Sequence, residues 1–168
     1  MTLRRANLVG FFTCAGLLGF AFYAQYQLHL EPCPLCIFQR LGVLLMGLVF
    51  LVAALHGARR AGGGRPVYAV AVALAALATI AVAARQLYIQ SLPPGSVPAC
   101  GASLDVMLKF MPVSEVLSKV FKGSGECAKV DWRLLGLAMP AWVLIASAAL
   151  GTFGVWANSR RDAAAVRF

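Results

Sequence analysis

Long apolar runs separated by short polar breaks dominate this chain. Four of them approach the roughly 20 residues a helix needs to cross a bilayer. They run from about Leu8 to Leu28, Ile37 to Leu55, Val67 to Ile89 and Leu134 to Ala157, the last with Pro140 near one end. The pattern predicts a single all-α membrane domain over residues 1–168, a bundle of four transmembrane helices with loops near 29–36 and 91–133 on one side. No strand and no internal repeat is expected. The first run also has marks of a signal peptide, with Arg4 and Arg5 ahead of an apolar core and Ala21-Phe22-Tyr23-Ala24 as a weak cleavage site. Its core exceeds the ~7–15 residues such peptides use, so a retained helix is expected.

The longer loop has a pattern of its own. Pro93, Pro94, Gly95 and Pro98 make a helix-averse lead-in. After Pro112, Val113, Val116, Leu117, Val120 and Phe121 recur at helical spacing, opposite Ser114, Glu115, Ser118, Lys119 and Lys122. A short amphipathic helix is expected there, lying on the membrane surface or packed on the end of the bundle. Gly123-Ser124-Gly125 ends it just before Cys127.

Composition supports lipid as the solvent: 61% of residues are hydrophobic and 12% charged, whereas a soluble domain is nearer half and a quarter. The net charge of +9 raises nucleic acid as a partner, and the placement of the charge argues against it. Arg4 and Arg5, then Arg59, Arg60 and Arg65, then Arg160, Arg161 and Arg167 flank the apolar runs instead of forming a stripe or tail. The 29–36 loop has no Lys or Arg. The positive-inside rule therefore puts both termini in the cytoplasm and turns the loops at 29–36 and 91–133 outward.

Four of the five cysteines fall in those outward loops: Cys33 and Cys36 as Cys-Pro-Leu-Cys before the second run, Cys100 and Cys127 in the longer loop. An even count in an oxidising compartment reads as two disulfides. A structural staple suits Cys100 with Cys127, because it would order the loop. It suits Cys33 with Cys36 poorly, since a bridge across two residues closes almost no chain. A reactive Cys-x-x-Cys fits better, with helix 2 starting near Cys36 and its positive end favouring a thiolate there. Arg40, four residues on, shares the Cys36 face and is placed either to snorkel or to stabilise a thiolate or a reduced acceptor. Cys14, alone inside the first run, reads as a small core residue. Zinc sites favour two close pairs, and neither His29 nor His56 completes one, so no metal is expected. Two reactive pairs on one side suggest a relay whose electrons must leave. With no nucleotide or haem motif in the chain, a lipid-soluble two-electron acceptor fits what remains.

These residues resemble the DsbB family, the disulfide bond formation protein B of bacterial inner membranes. The resemblance covers the whole chain: Glu31-Pro32-Cys33-Pro34-Leu35-Cys36-Ile37-Phe38-Gln39-Arg40, Cys100, Gly125-Glu126-Cys127-Ala128, Trp132, Leu135-Gly136-Leu137 and Met139-Pro140-Ala141-Trp142. It implies a multi-pass inner-membrane protein dithiol:quinone oxidoreductase that sustains periplasmic disulfide formation. A thioredoxin-fold partner resembling DsbA would attack Cys100 of a Cys100–Cys127 disulfide. Cys127 would then attack Cys33, releasing Cys36 as a thiolate beside Arg40 to engage a quinone, ubiquinone or menaquinone, which leaves as quinol. Many members have a histidine near the outer end of helix 3, where this chain has Gln86, followed by Gln90. Gln86 is thus a candidate quinone-site residue that cannot become cationic, and Arg85 beside it is a possible source of charge.

Two other readings are a quinone reductase like vitamin K epoxide reductase and a non-enzymatic membrane scaffold stapled by disulfides. The first places its Cys-x-x-Cys on a late helix, unlike this chain.

Overall fold

Proline opens two of the long helices, at the one helical position where its missing N–H costs nothing. The computed structural model describes residues 2–30, 32–57, 66–93, 109–110, 112, 114–116, 118, 125–128, 130 and 132–159. Helix α1 spans Leu3–Gln27, and its first turn is capped by Thr2, whose hydroxyl accepts from the Arg5 amide at 3.4 Å. Helix α2 spans Pro34–Gly57 and α3 spans Pro66–Ser91. A single turn, α4, covers Gly125–Ala128, and α5 spans Met139–Ser159. Among the described residues, four helices (α1, α2, α3 and α5) are long and apolar enough to cross a membrane.

The fourth span begins later than expected, and what precedes it is β structure. Strands β1 (Arg133–Leu134) and β2 (Leu137–Ala138) pair antiparallel, Arg133 opposite Ala138 and Leu134 opposite Leu137. Leu135 and Gly136 form the turn with φ of 52° and 81°, the left-handed pair that joins two strands most tightly. Pro140 explains the boundary. In a helix running from Leu134 it would lose the bond to the Gly136 carbonyl and clash with it, whereas in the first turn of α5 it is tolerated. The expectation that the chain has no strand is corrected by this hairpin.

Neighbours in sequence are neighbours in space: α1 packs on α2, α2 on α3 and α3 on α5, with a thinner α1–α5 seam closing the ring. Small residues set the spacing, as close packing in lipid requires. A Cβ added at Gly42 would come within 2.1 Å of Thr79 Oγ1, so α2 and α3 approach there as only glycine allows. Phe50, fully buried, fills the middle of the bundle with Val43, Met46, Val72 and Leu150. At the end of the bundle far from Cys33, Asn7 and Asn158 exchange side-chain hydrogen bonds of 3.2 and 3.0 Å across the α1–α5 seam. Each amide also bonds a carbonyl of its own helix, Leu3 and Gly154, so neither is left wanting a partner in the apolar interior. Leucines such as Leu41, Leu44, Leu74 and Leu77 point outward, as a lipid-facing surface should.

Of the expected amphipathic helix, Ser114–Val116 and Ser118 are helical. Val116 is buried against Cys33, Leu35, Ile89 and Cys127, so this part packs on the end of the bundle. Val113, Leu117, Val120 and Phe121 lie outside the described residues, as does Cys100.

Candidate redox site

The site forms where the 29–36 connection enters α2. Having left α1, the chain turns on His29 in the left-handed region, φ 51°. Cys33 then immediately precedes Pro34. The amide of Cys36 donates to Cys33 Sγ at 3.4 Å, and that of Ile37 to the Cys33 carbonyl at 3.2 Å. Cys33 therefore caps the helix. The positive end expected to serve the Cys36 sulfur directs the Cys36 amide to Cys33 Sγ instead, because the helix starts at Pro34 and Cys36 is already its third residue.

Cys33 Sγ and Cys36 Sγ are 2.9 Å apart. Helix α4, packed against α3, brings in Cys127, whose side chain hydrogen-bonds with Cys33. That bond first, then the one to Cys36 and burial, pushes the Cys33 thiol well above the usual thiol range. As a free thiol Cys33 is thus held protonated and is a poor nucleophile. Cys127 and Cys33 are both buried, Cys36 partly. Cys14 lies far down α1, buried against Gly47 and the mid-bundle core, as a small core residue.

Gln86 reaches the pair from α3. Its Nε2 donates to Cys33 Sγ and to Cys36 Sγ, both at 3.4 Å, and Cys36 Sγ lies 3.6 Å from its Oε1. That oxygen accepts from Gln39 Nε2 at 2.6 Å. Both glutamines are 3% exposed, and with its oxygen accepting from Gln39 the Gln86 amide turns its nitrogen to both sulfurs. Sequence reasoning overlooked Gln39. Its signal was available, since Gln39 lies three residues beyond Cys36 on the same helical face.

Arg40 points to α1. Its guanidinium donates to Gln25 Oε1 at 2.5 Å and to the Ala21 carbonyl at 3.0 Å, and lies over the Phe22 ring at 5.4 Å. The Arg85 guanidinium instead lies over the Tyr88 ring at 5.3 Å.

Cys36, Gln39, Arg40 and Gln86 all line one cavity of about 300 Å³ between α1, α2, α3 and α5, whose remaining wall is mostly apolar and includes Trp132 and Trp142. Ligand sites start at roughly that size and combine apolar walls with a few convergent polar groups. A shallower apolar groove lined by Val9, Thr13, Leu17, Ala146 and Phe153 continues it along the α1–α5 seam, the two sharing Leu17 and Ala146. Among the described residues no His, Cys, Asp and Glu cluster is arranged to hold a metal.

The family model described as disulfide bond formation protein DsbB matches residues 3–157. The chain is 49% identical to the disulfide bond formation protein B of Hahella chejuensis over 157 residues, covering 94% of this chain and 93% of that one. It is 50% identical to that of Marinobacter nauticus over 161 residues, covering 96% and 95%. The protein of the same name from Chromobacterium violaceum is 47% identical over 161 residues, covering 96% of each chain.

Proposed function

The chain belongs to the disulfide bond formation protein DsbB family, disulfide-forming oxidoreductases of the membrane, and we propose that it re-oxidises a DsbA-like thioredoxin-fold partner and passes the electrons to a membrane quinone. The observation that carries this reading is the meeting of Cys127, Cys33 and Cys36 at the edge of a cavity that also holds Arg40.

The residues act in order of their position. A partner thiolate attacks Cys100 and breaks a Cys100–Cys127 disulfide. Cys127, already hydrogen-bonded to Cys33, attacks Cys33 and breaks its bond to Cys36, so the leaving group is the Cys36 thiolate. The Gln86 Nε2 donor at 3.4 Å is oriented to receive that charge without moving. The partner's second thiol displaces Cys100 from the mixed disulfide and leaves the partner oxidised. Cys100 then recovers Cys127 and releases Cys33, and the Cys33–Cys36 disulfide re-forms as two electrons and two protons leave the protein for the acceptor.

A quinone suits the cavity. Its ring carbonyls need donors, which the remaining N–H groups of Arg40 and Gln39 would supply, and its isoprenoid tail needs an apolar path, which the α1–α5 groove would supply. When bound, it is the two-electron acceptor. Arg40, anchored to α1 through Gln25 and Ala21, would position the ring against Cys36 and exclude water beside it. The arginine distribution supports an inner-membrane topology with cytoplasmic termini and the cysteines on the periplasmic side. The protein thus works as one membrane domain of four spans with lipid around it.

The test is quinone reduction by the purified protein in detergent, with a reduced thioredoxin-fold dithiol protein as donor and ubiquinone and menaquinone as alternative acceptors. Turnover that disappears on removing any one of Cys33, Cys36, Cys100 or Cys127 is the expected result. An intact protein that reduces neither quinone would overturn the reading.

A further inference from the structure

Leu135 occupies a left-handed backbone position, φ 52°, that residues with large side chains avoid. In hairpin turns facing water this place is usually taken by Asn, Asp or Gly. Its side chain is also 84% exposed, and Leu134 and Leu137 beside it are exposed at 46% and 39%. Neither the backbone nor any packing inside the protein explains a leucine here.

The depth of the hairpin does. Exposed aromatic residues mark the level of the bilayer interface at the cysteine end: Tyr23 and Tyr26 on α1, Tyr88 on α3. Trp132, the residue before β1, contacts Phe20 with ring centroids 5.9 Å apart. Phe20 is three residues short of Tyr23 and six short of Tyr26, about 4.5 to 9 Å deeper at the rise of an α-helix. On the other side, the Trp142 indole, inside α5, donates to the Leu134 carbonyl at 3.2 Å. The hairpin is thus rooted beside the first turn of α5, below the aromatic level. The β1–β2 ladder pairs only the facing groups of the two strands, and Trp142 satisfies the Leu134 carbonyl. The outer edges and the turn stay open, so the hairpin lies at the headgroup–acyl boundary, where its backbone reaches water and headgroups while its leucines enter the acyl chains.

We infer that the 133–138 hairpin is a wedge immersed in the lipid leaflet at the cysteine end, with the Leu135 side chain among the acyl chains. The wedge continues the lipid-facing surface of α5. Arg133 at its root is exposed and long enough to reach headgroup phosphates. Leu134 and Ala138 also line the cavity, so a hairpin held by lipid becomes a wall of a mouth that opens into the bilayer instead of into water. This inference needs only that the four helices span a membrane, and it stands apart from the redox reading.

The experiment places p-benzoylphenylalanine at position 135 of the full chain, reconstitutes the protein in phosphatidylcholine–phosphatidylglycerol vesicles and identifies photoproducts by mass. The expected product carries phospholipid, as it does with the same probe at the exposed mid-span residue Leu74. Cross-links to a second copy, or to the thioredoxin-fold partner when it is added, would overturn the inference, as would no cross-link at 135 when 74 gives one. A second measurement uses Trp156→Phe, which leaves Trp132 and Trp142 as reporters at the hairpin root. Quenching of their emission by lipids brominated high on the acyl chain, with protection from aqueous iodide, is expected; the reverse pattern would overturn the wedge.

Discussion

Gln39 Nε2 donates to Gln86 Oε1 at 2.6 Å, and the Gln86 amide so held turns its Nε2 to both sulfurs at 3.4 Å. Hydrogen bonds to a charged group contribute about 1.5–3 kcal/mol. Gln86→Leu is therefore expected to lower quinone-dependent turnover by roughly 10- to 100-fold, each ~1.4 kcal/mol being a factor of ten. Gln39→Leu should cost less, about 10-fold or below, because the amide is freed to turn but not removed. Stopped-flow quinone reduction separates the two, and equal losses, or none, would reject the positioning role of Gln39.

Arg40→Leu should weaken quinone use while both disulfides still form. Thiol titration after oxidation and the quinone KM read these two effects independently. Arg40→Lys should restore little, because one ammonium cannot reproduce a fork that bonds Gln25 and the Ala21 carbonyl together. Normal quinone kinetics in Arg40→Leu would reduce the residue to a snorkelling cation.

The cysteines should separate by step. Cys36→Ser is expected to abolish quinone-dependent oxidation of the partner. Cys100→Ser should also stop partner oxidation, but leave quinone binding intact in an equilibrium measurement. Full turnover in Cys36→Ser would end the relay reading.

Gly42→Ala tests the spacing of α2 and α3. The new methyl would meet Thr79 Oγ1 at 2.1 Å, and overpacking of this kind costs about 1–3 kcal/mol. A lower thermal midpoint in detergent is expected, together with lost activity, since Cys36 and Gln86 ride on these two helices. Unchanged stability would show that the helices separate freely.

Asn7 and Asn158 should behave as a unit. Asn158→Leu alone leaves Asn7 Oδ1 without its donor while Nδ2 keeps the Leu3 carbonyl, costing about 1–3 kcal/mol. The double change to leucine should destabilise by less than the sum of the single changes, a coupling that a double-mutant cycle measures. Strict additivity would mean the pair does not act together.

Much of this was legible in the chain, and the exceptions have a common cause. The four spans follow from apolar length, and Cys33 and Cys36 from their spacing and from the proline that starts α2. Even there the helix begins earlier than near Cys36, because Pro34 is its first residue. The hairpin escaped notice because Leu135-Gly136 lacks the Asn-Gly chemistry that announces such a turn. Gln39 with Gln86, and Asn7 with Asn158, are tertiary pairs. Each residue is an ordinary amide in its own segment and acquires meaning only from a helix far away in sequence. Gln86 drew attention only through the resemblance, as a position of doubtful charge; its contact with both sulfurs comes from the packing of α3 on α2.

The Asn7–Asn158 clasp also bears on how the protein is made. Asn7 lies in α1 and Asn158 in α5, 151 residues later. Until α5 enters the membrane, Asn7 Oδ1 has no partner across the seam, although Nδ2 keeps the Leu3 carbonyl, and an unpaired polar atom among apolar side chains is costly. Insertion of α5 supplies that partner and closes the ring in the same event, so the clasp ties the α1–α5 seam to the order in which the helices are made.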